Sequence, residues 1–370
     1  MKRNPSVTRM RKNPRHWKQH LQRLINQHNH LHATKRKGVS FKTMQDRANF
    51  LFHFFGELRH NEEKCFKPCP ESLNNTHVKF MVERWVRHGA PASTLQLRLS
   101  FLRTFCGWIH KDGMIYPPER YVTDPSLVKR VYAARRDKSW TAHEVIPDAK
   151  IDEIEQFDPY VGAQLRMALR YGLRVKEAIM CRPHLAEVDG GLLVIAVDHI
   201  ESYLKVERGT KGGRCRVVPV DSEAKRVALE AAKRLARFQD AHLGRPARTL
   251  QQNQRRFYYV LEKFGITKDM LGVTAHGLRH QYANDRYEEY AGTPSPVRGG
   301  EPTERHADHQ ARLRVVEELG HARASISSAY CGNVAKRPIQ DPMSGKPAAE
   351  HEDAPLSADA PHRAVRRAGP

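Results

Sequence analysis

No acidic residue precedes Asp46, and the chain contains no uninterrupted apolar run of the length, about 18 residues, that a membrane-spanning helix needs. The polar N-terminus also lacks the apolar middle segment of a signal peptide. These absences argue against a membrane protein and against secretion. We therefore expect a soluble, cytoplasmic protein.

Cysteine is scarce, with six residues scattered over 370 positions. Without an export signal, reduced thiols are expected rather than a disulfide framework. His60, Cys65, Cys69 and His77 have the ligand types of a zinc site, but their spacing matches no common zinc finger. We therefore predict no metal site in this segment.

Two common catalytic signatures are also missing. The chain has neither a Gly-x-Ser-x-Gly nucleophile elbow nor a phosphate-binding P-loop, and Cys331 lacks a partner motif for a thiol nucleophile. Serine hydrolase, cysteine protease and P-loop nucleotide hydrolase chemistry are therefore disfavoured.

Positive charge, in contrast, is abundant. Lys and Arg number 63 against 41 Asp and Glu, a net charge of +22 with neutral histidine. A surplus of this size indicates a polyanionic partner, and nucleic acid is the natural one for a chain without membrane signals. The length favours two globular units.

The two halves of the chain differ in pattern. From Ser40 to about residue 130, apolar residues recur at helical spacing, and Ser40 is a plausible N-cap. Beyond residue 150 we predict one helix over Ile151–Tyr171, which ends at Gly172, and the beginning of another over Arg174 to Met180. Three β-rich runs follow: Leu192 to Val197, Tyr203 to Glu207 and Arg214 to Val220. We predict that helices resume over four segments: Asp221 to Phe238, Thr249 to Phe264, Thr274 to about Tyr290, and Ala311 to Leu319. The fold class is therefore mainly α with a small antiparallel β-sheet.

Four short strings in the second half carry the chemistry. They are Gly172-Leu-Arg174-Val-Lys-Glu177, Thr210-Lys211-Gly-Gly-Arg214, His276-Gly-Leu-Arg279-His280, and Leu319-Gly-His321 followed nine residues later by Tyr330. Each string alone is weak, since His-x-x-Arg also occurs at His20/Arg23 and His309/Arg312, and most lysines and arginines are surface charges. Their combination is specific.

The chemistry that unites these residues is attack on a phosphodiester. Two guanidiniums, from Arg174 and Arg279, can hold the non-bridging oxygens of the reacting phosphate. Glu177 lies one helical turn after Arg174 and can orient it. Lys211, on a predicted hairpin turn, has the reach to protonate a leaving oxygen. A phenol needs such cations nearby to become a nucleophile, and Tyr330 follows His321 closely enough to share the site.

In this combination the sequence resembles the tyrosine recombinase (phage-type integrase) family from about residue 40 to 335. The resemblance implies that Tyr330 attacks DNA to give a 3′-phosphotyrosyl link and a free 5′-hydroxyl. It implies that Arg174, Arg279 and His321 stabilise the transition state and that Lys211 protonates the leaving oxygen. His276 would assist Tyr330 and the phosphate. It also implies a SAM-like core-binding domain, no cofactor, and a homotetramer on paired double-stranded DNA attachment sites.

On this basis we divide the chain into five segments: a basic arm (1–38), a helical core-binding DNA domain (39–132), a linker (133–150), a catalytic domain (151–335) and a disordered polar tail (336–370). We expect DNA contacts from basic residues of the arm, the linker and the hairpin. These are Lys35, Arg36, Lys37, Arg135, Arg136, Lys138 and Arg214. We also expect the protein to associate with the nucleoid and to work with an accessory DNA-bending protein.

One segment departs from the family pattern. Residues 291–310 form a Pro/Gly-rich insertion that separates Arg279 from His321 more than is usual in the family, and we predict a mobile surface loop there. A mobile-element integrase is the favoured function. Two alternatives stay open: a type IB topoisomerase, which shares the chemistry, and a non-catalytic DNA-binding regulator.

Overall fold

The computed structural model of the chain describes residues 16–31, 38–192, 200–301 and 304–333. Lys35, Arg36, Lys37 and the tail 336–370 lie outside these ranges, as does most of the predicted strand Leu192 to Val197. The chain divides into two units, with the boundary between Arg130 and Val131. The prediction of a mainly helical fold with a small antiparallel sheet is confirmed. Within the described part, no helix is long and apolar enough to cross a membrane.

The first unit is a bundle of four helices. They are α1 (Trp17–His28), α2 (Phe41–His60), α3 (Asn75–Arg87) and α4 (Ala92–Trp108), followed by 3-10 turns at Pro118–Tyr121 and Pro125–Val128. Ser40 caps α2, because its side chain accepts a hydrogen bond from the backbone N–H of Thr43 at 3.2 Å. Aromatic and aliphatic side chains at helical spacing fill the core of this unit.

Helix α1 belongs to this core although its residues fall in the segment that the sequence analysis assigns to the basic arm. Trp17, Leu21, Leu24 and Ile25 are buried in the same cluster as the apolar faces of α2 to α4. The packed unit therefore begins by Trp17, within the first 38 residues.

The second unit surrounds a three-stranded antiparallel meander. Its strands are β1 (Glu187–Asp189), β2 (Ser202–Val206) and β3 (Arg216–Pro219), in that order, with Leu204 paired to Glu187 on one side and to Val218 on the other. The first strand lies before the run Leu192 to Val197 that the sequence analysis favoured. In the second unit the helices are α5 (Pro147–Phe157), α6 (Pro159–Tyr171), α7 (Val175–Met180), α8 (Pro183–Ala186), α9 (Glu223–Leu235), α10 (Leu250–Lys263), α11 (Ala275–Ala291), α12 (Arg305–Glu318) and α13 (Ser328–Cys331).

The prediction of a single helix over Ile151–Tyr171 was wrong, because the chain breaks at Asp158. Pro159 cannot donate a backbone hydrogen bond and occupies the first turn of α6, while the Asp158 side chain accepts from the N–H of Val161 at 3.2 Å. Two helices, α5 and α6, therefore pack against each other where one was expected.

The prediction of a mobile surface loop over residues 291–310 was partly wrong. A 3-10 turn occupies Pro296–Arg298, Ser295 is buried, and α12 begins at Arg305, earlier than the predicted start at Ala311. Helix α12 starts there because the Glu304 carboxylate accepts a hydrogen bond from the N–H of Ala307 at 2.9 Å.

Candidate active site

A buried carboxylate organises the centre of the second unit. Glu177, on α7, is 1% exposed. It accepts hydrogen bonds from the backbone N–H of Arg174 at 2.9 Å and from its guanidinium at 2.6 Å. Arg216, on β3, donates to the same carboxylate at 2.7 and 3.2 Å. Burial alone would raise the pKa of the Glu177 carboxyl, but these arginines lower it to about 2. Glu177 is therefore ionised and holds two guanidiniums in place.

Local backbone geometry aims Arg174 at this point. Gly172 ends α6 in the left-handed conformation, with φ of +60°, and a side chain there would meet the Tyr282 ring at 2.6 Å. The chain reverses at this glycine, so Arg174 comes to lie at the N-cap of α7. Its side chain is 24% exposed. Glu177 therefore holds the guanidinium while part of the side chain stays accessible to solvent.

The guanidinium of Arg279 lies deeper and is 1% exposed. It donates to the carbonyl oxygens of Gly172 and, at 2.5 Å, of Leu319. Its Nε donates to the phenol oxygen of Tyr330 at 3.2 Å. These bonds connect the ends of α6 and α12 with the nucleophile candidate, so the position of Arg279 is set by three separate elements.

Tyr330 lies on the short helix α13 and is 6% exposed. In addition to the bond from Arg279, its oxygen is 3.3 Å from Nε2 of His321, which itself lies 3.4 Å from a terminal nitrogen of Arg279. The phenol oxygen, one guanidinium and one imidazole thus form a closed triangle of polar contacts.

Three histidine rings surround the tyrosine. The ring centroids of His280, His321 and His276 are 4.9, 5.9 and 6.1 Å from that of Tyr330. Desolvation, together with the charges of Arg279, Arg174 and Arg216, lowers the pKa of His321 to about 4. Desolvation and the charges of Arg279, Arg174 and Lys138 also lower the pKa of His276, although the residue as a whole is exposed. Both imidazoles are therefore neutral near pH 7 in the DNA-free protein.

The chain is similar to several known proteins. The Integrase family model matches residues 133–285. A tyrosine recombinase XerC of Xanthomonas axonopodis pv. citri is 26% identical over 218 residues, which cover 57% of this chain and 64% of the relative. That alignment therefore spans less than two thirds of the relative's length. A tyrosine recombinase XerC of Thermodesulfovibrio yellowstonii is 26% identical over 326 residues, covering 81% of this chain and 88% of the relative. These matches show that the chain is similar to tyrosine recombinases and that residues 133–285 match the Integrase family model.

Solved structures show the same fold. A lambda integrase(75-356) dimer bound to a COC' core site superposes with a TM-score of 0.51 at 16% identity, covering 86% of this chain and 97% of the other. A lambda integrase tetramer bound to a Holliday junction gives the same TM-score at 16% identity, covering 84% and 76%. At this identity the likeness concerns the fold alone.

Lys211 is the one member of the predicted recombinase set that stands apart. It opens the 3-10 turn Lys211–Gly213 between β2 and β3, as the hairpin prediction requires, and its side chain is exposed. No hydrogen bond or ring contact among the described residues joins it to the other five predicted catalytic residues. Four of those five, namely His276, Arg279, His321 and Tyr330, contact one another directly, and Arg174 joins them through Glu177.

The predicted DNA-contacting residues that can be placed are all exposed or partly exposed. Arg135, Arg136 and Lys138 lie in the linker, and Arg214 lies just before β3. The linker does not run free of the second unit, because Ser139 and Trp140 are fully buried in it. The indole N–H of Trp140 donates to the carbonyl of Thr274 at 2.8 Å. That carbonyl immediately precedes α11, which carries His276 and Arg279.

Sequence reasoning missed Arg216. Its side chain is buried, it pairs with Glu177, and its Nε donates to the carbonyl of Glu318 at 2.6 Å. It thereby connects the carboxylate that orients Arg174 to the end of α12, which precedes His321. A signal was present, because Arg216 occupies an inward position of a strand, where a charged residue requires a buried partner. Thr274, where the sequence predicts the start of this helix, holds the N-cap position of α11, but its side chain makes no capping hydrogen bond.

Proposed function

We propose that this protein is a site-specific DNA recombinase that cuts and rejoins DNA through a 3′-phosphotyrosyl intermediate formed on Tyr330. The observation that carries the proposal is the position of the phenol oxygen, 3.2 Å from Nε of Arg279 and 3.3 Å from Nε2 of His321. A buried tyrosine can be held by a single structural hydrogen bond. This one faces two groups suited to phosphoryl transfer.

The bond-forming step is an in-line displacement at phosphorus. The Tyr330 oxygen forms a bond to the scissile phosphorus while the bond from phosphorus to the 5′-oxygen breaks. Negative charge accumulates on the non-bridging oxygens, which lie next to the attacking oxygen. The Nε–H of Arg279 already points at that region, and Arg174 supplies a second guanidinium held by Glu177. The two arginines stabilise the transition state more than the ground state.

Two protons must move during this step. A neutral imidazole can accept the phenolic proton, and His321 is neutral near pH 7 and in direct contact with the phenol. His276, next to the ring of Tyr330, assists at the phosphate. The leaving 5′-oxygen takes its proton from Lys211, whose exposed turn can fold over bound DNA. Attack by another 5′-hydroxyl on the phosphotyrosine reverses the sequence and releases the tyrosine.

The biological setting follows the family. We propose that the substrate is a pair of double-stranded attachment sites bound by a homotetramer, by analogy with the lambda integrase tetramer bound to a Holliday junction. The net charge of +22 favours such a partner. Integration or excision of a mobile element in the cytoplasm, at the nucleoid and with an accessory bending protein, is the specific role we assign. The residues 1–38 and the exposed linker arginines would add contacts to phosphate.

A suicide substrate tests the proposal. A pool of nicked duplexes with a randomised central segment traps any covalent complex, because the short strand downstream of the cut diffuses away. We expect protein-linked DNA on a denaturing gel with the unaltered chain and none with Tyr330→Phe. Equal labelling of the two proteins, or no labelling of either, would contradict the proposal. Sequencing the trapped strands then identifies the site.

The same preparation separates the recombinase from a topoisomerase. A type IB topoisomerase relaxes any supercoiled plasmid, whereas a site-specific recombinase requires its own site. We expect relaxation only of a plasmid that carries the trapped sequence. Rapid relaxation of a plasmid without that sequence would favour the topoisomerase alternative.

A further inference from the structure

The turn Pro296–Arg298 lies in the insertion, yet it is firmly attached to the rest of the second unit. The Arg298 guanidinium donates to Asp137 at 3.0 Å, to Asp285 at 2.7 Å and to the Ser139 hydroxyl at 3.3 Å, and it lies 3.6 Å from Glu288. Its side chain is 17% exposed. One arginine of the insertion thus joins the linker to α11.

Buried polar contacts reinforce the attachment. The Ser295 hydroxyl donates to the side-chain oxygen of Asn284 at 2.6 Å, and the amide nitrogen of Asn284 approaches Asp137 at 3.3 Å. Ser295 and Asn284 are both fully buried. The carboxylate of Asp137 therefore accepts hydrogen bonds from Arg298 of the insertion, from Asn284 of α11 and from Ser139 of the linker. Each bond restricts the orientation of the carboxylate.

The same turn packs against the end of the nucleophile helix. Gly332, two residues after Tyr330, has φ of +73°. A Cβ built on Gly332 would lie 3.1 Å from the backbone nitrogen and Cβ of Val297 and 3.2 Å from the carbonyl of Ala134. The backbone N–H of Ala134 also donates to the carbonyl of Ser328 at 2.7 Å, at the other end of α13.

Helix α13 needs such outside support. It spans four residues, Ser328–Cys331, and one turn of helix cannot stabilise itself in water. The direction in which it presents the phenol therefore depends on its neighbours. Arg279 and His321 contact the phenol oxygen. The backbone of α13 is approached by Ala134 of the linker, by Val297 of the insertion, and by Arg312 of α12, which donates to the carbonyl of Gly332 at 3.1 Å.

We propose that Arg298 is a positioning residue for the nucleophile: it clasps the insertion to the linker so that Val297 and Ala134 hold α13 with Tyr330 facing Arg279. This inference rests on the proposed function. It assigns the insertion a role in the cleaving subunit itself. Among the described residues, the partners of Arg298 are Asp137, Asp285, Ser139 and Glu288 and do not include the phenol, so its effect must appear in the rate of attack.

The test compares Arg298→Ala, Arg298→Lys and Arg305→Ala on the nicked-duplex pool. Arg305 is the matched control, since it lies in the same insertion, is exposed, and its side chain makes no hydrogen bond or ion pair among the described residues. At saturating DNA we expect Arg298→Ala to form adduct about tenfold or more slowly, since a misplaced nucleophile loses rate steeply. We expect the DNA concentration that gives half of the maximal rate to change by less than about twofold. This follows because a residue that orders Tyr330 without contacting DNA should not alter DNA binding.

Conservative replacement separates positioning from general stability. Lysine keeps the charge but cannot bridge Asp137, Asp285 and Ser139 together, so Arg298→Lys should recover part of the lost rate. If Arg298 acts through Asp137, combining Arg298→Ala with Asp137→Asn should cost no more rate than the stronger single change. Thermal melting of each variant reports the folded fraction, by which every rate is normalised.

Three results would overturn the inference. They are a normal rate for Arg298→Ala, a slowing that Arg305→Ala reproduces, and a slowing fully explained by the loss of folded protein. Absence of adduct with the unaltered chain would instead contradict the proposed function, and the inference with it.

Discussion

The two units of this chain differ in the buried charges that accompany their apolar cores. In the N-terminal bundle, rings dominate: the centroid of Phe55 lies 5.3 Å from that of Phe54 and 5.5 Å from that of Phe105, in edge-to-face geometry. In the second unit, Glu177, Arg216 and Arg279 are among the fully or nearly fully buried residues. Both units have apolar cores, and the bundle also buries Arg47 and Arg59. The second unit in addition buries a carboxylate, Glu177, which must be satisfied by its arginine partners.

This difference predicts which substitutions affect stability alone and which also affect the reaction. A ring in the bundle contacts many neighbours and contributes in proportion to its buried area. A buried charge contributes through a few directional bonds, and its removal leaves partners without compensation. Substitutions in the second unit should therefore affect stability and catalysis together, and those in the bundle should affect stability alone.

Glu177→Gln should give the largest effect. It removes the charge that holds Arg174 and Arg216. We expect the free energy of unfolding to fall by about 3–5 kcal/mol, the range for breaking a buried ion pair. The adduct rate should fall by about a hundredfold as the arginines lose their positions. Denaturant unfolding and the nicked-duplex assay measure the two quantities.

The control for that change lies in the bundle. Glu63 pairs with Arg87 at 2.6 Å on the exposed surface. Exposed ion pairs contribute little, so Glu63→Gln should leave both the unfolding midpoint and the adduct rate unchanged. Equal losses for the two glutamine variants would remove the distinction between the units.

Phe55→Ala should destabilise as strongly without slowing the chemistry. The ring is fully buried, and truncation of such a ring costs about 3–5 kcal/mol through lost burial and the cavity left behind. At a temperature where the variant stays folded and DNA is saturating, we expect its adduct rate to remain within about twofold of the unaltered chain. A large drop in that rate would show that the bundle also sets the geometry of the reaction.

The fold class followed from the sequence because it depends on local periodicity. Alternating apolar spacings predicted the bundle, and short β-rich runs punctuated by glycine predicted the sheet. The break at Asp158 was missed because the apolar pattern continues across it, although an Asp-Pro pair is a start signal for a helix. The anchored turn at Pro296–Arg298 was missed because its partners, Asp137 and Asp285, are distant in the chain or belong to another element.

Some residues of the candidate site could likewise be predicted from local sequence, and others could not. The strings around Arg174, Arg279 and His321 could be recognised in the sequence because each joins a candidate catalytic residue to the glycine or helix end that orients it. Arg216 could not be recognised in the sequence, because its importance depends on a tertiary contact with Glu177, which lies 39 positions earlier in the chain. Lys211 keeps its predicted place on the turn, and its role stays a prediction because it contacts none of the other five.

Titration of a histidine in the second unit should have a smaller effect on stability than the substitutions above. His321 has a pKa of about 4 in the folded state against 6.5 in the reference state. The unfolded chain therefore takes up its proton first, so this contribution is complete above pH 6.5 and is lost as pH falls from 6.5 towards 4. His321→Asn should flatten this part of the profile of unfolding free energy against pH. An unchanged slope would show that the imidazole is not held in its neutral form.

The smallest effect should come from helix caps. Ser40 caps α2 with its side chain, whereas Thr274 occupies the same position before α11 without doing so. Ser40→Ala should cost about 1 kcal/mol, the usual value for a lost cap, and Thr274→Ala should cost less. Denaturant titration of both variants measures the difference, and a larger loss for Thr274→Ala would contradict the assignment of the two caps.

The most direct test is to locate the covalent link by mass spectrometry. The trapped complex is digested with protease and nuclease, and the modified peptide is sequenced. We expect a nucleotide joined through its 3′-phosphate to the oxygen of Tyr330, with every other tyrosine unmodified. A nucleotide on any other residue, or one attached through a 5′-phosphate, would contradict the central claim that this phenol, held by Arg279 and His321, attacks DNA.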